Sequence, residues 1–324
     1  MRAYEKRVVF AILIFTFCIV GPNFTWRARL VWIESTLPNT VDEKEVHSTN
    51  GEAIREYYRN SSLLIVQYTD GNTYSALLNL TQPINKAYGD MWGYDYELFT
   101  GLMIQAEIPP SLNGNTTAKV PTSRATYNKV MILDKVLNDL QYQKYDKLLI
   151  LDSDALMYDF SRDITALLPK DRMMLAHKVK RNESDSSWNI NIGVTMWNLR
   201  HIATIPVCRA WKKACIHRIT KHPTLRDSDQ TPLQAIIKDI PDKDRRKLIF
   251  AIPDKLGYGT GHFIRHFIRP DATNWTDYVD TMPMRIAKIQ RTITEICYRT
   301  FTKARHPDIC NEYIDYSTQE GTNY

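Results

Sequence analysis

Lys147-Leu148-Leu149-Ile150-Leu151-Asp152-Ser153-Asp154 (KLLILDSD) decides the fold. Four consecutive large aliphatic residues, too few for a helix and closed by acids, read as a strand buried on both faces. Tyr145-Asp146 turns the chain just before it. Upstream, Tyr127, Val130, Met131, Leu137 and Leu140 recur at helical spacing over Ser123 to Leu140, with Thr122 or Ser123 as the cap. Further back, Thr81-Gln82-Pro83 reads as a helix start, with Thr81 capping and Ile84, Ala87, Tyr88 and Met91 on one face. Ser62 to Tyr68 (SLLIVQY) is a second buried strand, stopped by Thr69-Asp70-Gly71-Asn72, and Gly93 to Phe99 is turn and strand. Strand, helix, strand, helix, strand predicts an α/β domain with a mostly parallel, Rossmann-like sheet flanked by helices. In such sheets, chemistry sits at the carboxyl ends of the strands.

The acidic pair stands at one of those ends. Asp-x-Asp occurs three times, at 152/154, 227/229 and 242/244, but only the first closes an apolar strand. The second precedes QTPLQAIIKD, where an aspartate is most simply a helix cap; the third lies in a charged loop. Neighbouring carboxylates repel unless a cation neutralises them. Hard oxygens at a sheet edge suit Mn2+ or Mg2+, completed by water and a substrate phosphate. Such an ion stabilises charge on a departing diphosphate. Two other readings stay open: both acids cap the next turn, or Asp152 is the nucleophile of an aspartyl-phosphate phosphotransferase. Against the latter, Ala155-Leu156 follows where Thr or Val is usual.

The rest of the chain supplies context. With 44% hydrophobic and 24% charged residues in 324, it is neither collagen-like, low-complexity nor a polytopic membrane protein. A net charge of +6 without a basic stripe gives no ground for a nucleic-acid partner. Arg2, Lys6 and Arg7 precede the apolar run Val8 to Val20, which predicts a short signal anchor with the remainder lumenal; a cleaved signal would look similar. Sequons at Asn23, Asn60, Asn79, Asn115, Asn182 and Asn274 fit export. Cys208, Cys215, Cys297 and Cys310 allow up to two disulfides, and free buried thiols are the alternative. Residues 27–59 read as a stem. Ile286, Ile289, Ile293, Ile296 and Cys297 give an amphipathic tail helix.

The segments LLIVQYTDGNTY, NKAYGDMWGYDYEL, RATYNKVMILDKVL, LLILDSDALMYD, NINIGVTMWNLR, SDQTPLQAI and GHFIRHF, in that order, resemble glycosyltransferases of the GT-A fold. The resemblance is to the family of fungal galactosyl- and mannosyltransferases and plant xyloglucan xylosyltransferases (glycosyltransferase family 34), with glycogenin-like enzymes as cousins. It implies residues 1–7 as cytosolic tail, 8–24 as anchor, 25–60 as stem, 61–282 as catalytic domain and 283–324 as helix and tail. It also implies a Golgi or ER membrane protein of type II. In it, Asp152, Asp154 and His266 hold Mn2+ (or Mg2+), with His262 a rival for the third place. Thr69, Asp70 and Tyr74 cradle the nucleoside of a UDP-linked sugar donor, with GDP the alternative. Lys129 faces the diphosphate, and Asn191 and Gly193 border the acceptor. Asp229 and Gln230 lie by the transferred sugar. Where the family has His-Phe-x-Gly this chain has His266-Phe267-Ile268-Arg269, so Arg265 or Arg269 would supply charge in place of close backbone approach. The implied reaction is retaining transfer to a glycan or glycoprotein acceptor. A non-catalytic lumenal relative acting as a scaffold is the competing reading.

Overall fold

A computed structural model describes residues 8–15, 28–35, 62–71, 74–104, 122–178, 188–221, 228–252, 261–268, 282–300 and 310–311. The chain divides into two units, Met1–Arg55 and Glu56–Tyr324. In the first, β1 (Val8–Phe15) pairs antiparallel with β2 (Ala28–Ser35). The expected anchor runs across this unit, and its residues 16–24 lie outside the described set, as does most of the stem. Among the described residues no helix is long and apolar enough to cross a membrane.

The second unit is built on β3 (Leu63–Thr69), β4 (Asp95–Thr100), β5 (Lys147–Leu151), β7 (Met174–Lys178), β8 (Ile190–Asn198) and β9 (Ile249–Ile252). Their order in the sheet is β4-β3-β5-β8-β7-β9. A separate antiparallel ribbon joins β6 (Ala155–Met157) to β10 (Ile264–His266). The sheet is mostly parallel, as expected, with one strand reversed. β3 runs parallel to β4 and β5, and β7 to β9, but β8 is antiparallel to both its neighbours. β7 and β8 follow one another in the chain and pair directly, as antiparallel neighbours can, whereas a parallel pair needs a crossover of about a dozen residues or more. The sheet is therefore mixed.

Both faces are covered, as the apolar runs demand. Leu64, Val66 and Tyr68 of β3, with Leu148 and Ile150 of β5, enter one core cluster. Leu63 and Ile65, with Leu149 and Leu151, enter the other. This is the period-two alternation of a strand with helices on either side. α1 (Ser75–Trp92) and α6 (Met282–Thr300) cover one face; α2 (Asn128–Asn138), α3 (Thr204–Lys221) and α4 (Gln230–Asp239) cover the other.

Local structure departs from expectation in three places. α1 starts at Ser75, so Thr81 and Pro83 lie inside it. A proline there costs about 3 kcal/mol of helix stability. Burial of Leu77, Leu78, Ile84 and Tyr88 outweighs that loss, while Met91 points outward. The expected helix from Ser123 begins as a 3-10 turn, Thr122–Tyr127, and becomes α-helical only at Asn128. Asp242 to Lys247, read as a loop, lies in helix α5 (Asp242–Leu248). Asp242 and Asp244 lie in its first turn and Arg245, Arg246 and Lys247 in its last, and Arg246 pairs with Asp242 one turn back.

Of the cysteines, Cys297 on α6 pairs with Cys310, while Cys208 and Cys215 are buried thiols outside any disulfide. The latter two sit seven residues apart on α3. That is a rise of about 10 Å, too far to bridge.

Candidate active site and metal centre

Asp152 follows β5 directly, and the chain does not stay pleated there. Asp152 N–H donates to Gly193 O on β8 (2.8 Å), and Ala155 N–H returns to Asp152 O (3.0 Å). A set of buried amides and hydroxyls holds this tight loop. Gln67 Nε2 donates to Asp152 O and Ala155 O, Thr81 Oγ1 to Ser153 O, Asn85 Nδ2 to Ala155 O, and Ser153 Oγ to Tyr68 O. Thr81 is thus a loop clamp and not a helix cap. With its peptide groups satisfied, the loop turns both carboxylates toward one point.

That point is the imidazole of His266, brought in by β10 pairing with β6 opposite Ala155. His266 Nε2 lies 3.1 Å from Asp154 Oδ1 and 3.6 Å from Asp152 Oδ2. One ligand atom from each of the three residues falls within 4.8 Å of the others. His262, the rival, is exposed. The outer oxygens are already taken. Lys129 Nζ (3.0 Å) and the Tyr68 hydroxyl hold Asp152 Oδ1, and Arg285 Nη2 holds Asp154 Oδ2. Two carboxylate oxygens and one imidazole nitrogen remain facing each other, a donor set that suits Mn2+ or Mg2+. The residues present fit such an ion.

Charge and burial agree with this arrangement. Burial pushes the Asp154 carboxyl up, but His266 and then Arg285 outweigh it and bring it below the usual carboxylate value. Burial alone would pull Lys129 down, yet Asp152 and then Asp229 hold its ammonium above the usual lysine value. Burial, then Asp152, keeps the Tyr68 hydroxyl well above an ordinary phenol, so it donates instead of ionising.

Asp229 precedes α4 at the helix N-cap, yet its side chain makes no capping bond. Its Oδ2 lies 3.5 Å from Lys129 Nζ. Burial pushes its carboxyl up to about 6 against the pull of Lys129. The simple cap reading is therefore wrong: Asp229 is 2% exposed and its carboxylate is turned to the site's lysine. Gln230 Oε1 accepts from Ile192 N–H (3.3 Å) and Asn191 Oδ1 from Gly193 N–H (2.9 Å), so both shape the start of β8.

Gly193 is needed for a different neighbour than expected. A Cβ there would lie 1.9 Å from His266 Cε1 and 2.6 Å from its Nε2. The glycine makes room for the histidine ring. Gly193→Ala should displace that ring and weaken Mn2+ binding by about 10- to 100-fold, the usual cost of disturbing a ligand's support. Titration followed by the Mn2+ paramagnetic resonance signal checks this; unchanged affinity would mean the imidazole is not a ligand.

Thr69 ends β3 and Asp70 follows it; Thr69 Oγ1 accepts from Gly71 N–H (3.3 Å). Tyr74 stands at the α1 N-cap with its ring 5.6 Å from the Arg285 guanidinium. Two contributors escaped the sequence reading. Tyr68 looked like one more apolar strand residue, and Arg285 like one more base on an amphipathic helix. Arg265, expected to offer charge, instead stacks on Tyr158 and pairs with Glu295 (2.9 Å). It neighbours His266 on a strand, so it points to the opposite face. Arg269 lies outside the described residues.

The chain matches no protein-family model and no curated protein. Among solved structures it is similar to a glycosyltransferase involved in glycosylation of the major capsid of PBCV-1. That match has 10% identity and a TM-score of 0.45, over 72% of this chain and 98% of that one. It is similar also to the glycosyltransferase GlyE of Streptococcus pneumoniae TIGR4, at 15% identity and TM-score 0.44 over 76% of this chain and 64% of that one. A third is the galactosyltransferase LgtC in complex with donor and acceptor sugar analogs, at 14% identity and TM-score 0.37 over 78% and 100%.

Proposed function

We propose that the chain is a metal-dependent glycosyltransferase, moving a hexosyl or pentosyl group from a nucleoside-diphosphate sugar to a glycan or glycoprotein. The observation that carries this reading is the convergence of Asp152, Asp154 and His266 at the end of β5, with Lys129 alongside. A divalent ion held by these three supplies positive charge opposite a diphosphate. Lys129, buried and charged, adds a fixed cation that needs no reorganisation during the reaction. Thr69, Asp70 and Tyr74 bind the nucleoside, which we assign to uridine. Asp229 accepts hydrogen bonds from the sugar hydroxyls, while Asn191 and Gln230 set the backbone on which the acceptor lies. We infer retention of anomeric configuration, the departing phosphate taking the acceptor proton. Export through a signal anchor into the Golgi or ER lumen completes the reading, and the Cys297–Cys310 disulfide supports an oxidising compartment.

A panel of UDP- and GDP-sugars, screened by thermal shift with Mn2+, tests it. A bound donor at about 100 times its Kd adds about 2.7 kcal/mol, a rise of about 5 °C or more. The rise should vanish with EDTA, and turnover with it. No shift with any donor, or one indifferent to EDTA, defeats the proposal.

One observation favours a second reading. Arg285 already neutralises Asp154. A site balanced by arginine and lysine alone would suit a non-catalytic relative that keeps the fold as a scaffold. Failure of the parent chain to bind Mn2+ selects that reading.

A further inference from the structure

We propose that Arg285 is the resting cation of the metal centre: it tunes the affinity for the ion and hands its charge to the incoming diphosphate. This rests on the metal-dependent reading above. Arg285 is 4% exposed and comes from α6, far along the chain from the acids. Its Nε donates to Phe267 O (2.8 Å) and its Nη2 to Asp154 Oδ2. Oδ1 of the same carboxylate is left to His266. The guanidinium thus turns Asp154 so that one oxygen is spent and the other faces the ligand cluster.

α6 is fastened to make this contact. Ile289, Ile293, Ile296 and Cys297 are buried in the second core cluster. Glu295, further along α6, grips Arg265 of β10, the strand that carries His266. The tail helix therefore holds the β6–β10 ribbon at Arg265 and at Asp154 and Phe267, the two residues that flank the ribbon. It is part of the site and not an appendage docked on it.

The charges give the arrangement its consequence. Asp152, Asp154 and Asp229 face Lys129 and Arg285, leaving one negative charge when His266 is neutral. A divalent ion reverses that to one positive charge, which favours an anion. Arg285 also repels the ion, since both draw on Asp154. It should therefore make ion binding alone weak and ion-plus-diphosphate binding strong. A guanidinium freed from part of its hold on Asp154 presents further donors suited to phosphate oxygens.

Arg285→Gln in the full chain separates this from a structural role. Mn2+ alone, followed by its paramagnetic resonance signal, should bind about tenfold tighter than to the parent. UDP or GDP at saturating Mn2+, followed by calorimetry, should bind about tenfold weaker; one charge-assisted hydrogen bond is worth at least that. Arg285→Lys keeps the charge and should leave Mn2+ affinity near the parent's. It also guards against a Gln variant that fails to fold. A merely structural arginine moves both affinities down together, or neither, and either result overturns the proposal. A parent that binds no Mn2+ rejects the metal centre itself, a separate outcome from unchanged Mn2+ affinity in the variant.

Discussion

Asp152→Asn should lower Mn2+-supported donor turnover by about 10^3-fold or more while shifting the melting temperature by no more than about 3 °C. The two acids differ in what they leave behind. Asp152 is partly open and shares Lys129 with Asp229, so the lysine keeps a carboxylate when Asp152 becomes an amide. The ion loses a hard anionic ligand, and the fold loses little. Asp154 is buried, and its partner Arg285 has no second carboxylate within ion-pair range among the described residues. Asp154→Asn strands that guanidinium in a dry interior, which costs about 3–5 kcal/mol. It should therefore abolish turnover and lower the melting temperature by about 10 °C. Measuring turnover and melting side by side distinguishes ligand from scaffold. An Asp152→Asn protein that melts normally and still turns over donor would remove the metal centre from the mechanism.

Asp229→Asn should make the protein more stable and less active. With its carboxyl raised to about 6, against an ordinary value near 4, the folded state holds the proton more tightly than the unfolded chain does. Stability is therefore lost as pH rises from about 4 to about 6, and the loss is complete above that. Two units correspond to about 2–3 kcal/mol at neutral pH. Asparagine escapes this penalty but needs hydrogen-bond partners of its own, so we expect a net gain of about 1–2 kcal/mol at pH 7.5. The gain should shrink at pH 5. Transfer should fall by about 100-fold or more, because a fixed acceptor for sugar hydroxyls is gone. Denaturant titrations at the two pH values, with kcat measured alongside, check both halves. A variant less stable at pH 7.5 than its parent would mean that Lys129 needs both carboxylates. Sites that trade stability for chemistry behave in the predicted way.

The sequence by itself determined the strands that build the site. SLLIVQY and KLLIL are short, apolar and bounded by turns, and only burial between two helical layers satisfies such runs. It also placed the acids at a strand end, because a carboxylate cannot continue an interior strand without a partner. His266 and Lys129 entered as candidates through the resemblance, and the structure brings both to the acids. What only tertiary structure decided were contacts between residues distant in sequence. The direction of β8 depends on which strands pair, and a single strand's periodicity is the same either way. The length of α1 was hidden because Pro83 signals a helix start, while burial of residues on both sides of it overrides that signal. The need for glycine at position 193 comes from a ring 73 positions away. Arg285 could not be read at all: on its helix it is one base among several. Only the docking of α6 turns that base inward, where low dielectric makes a carboxylate partner obligatory.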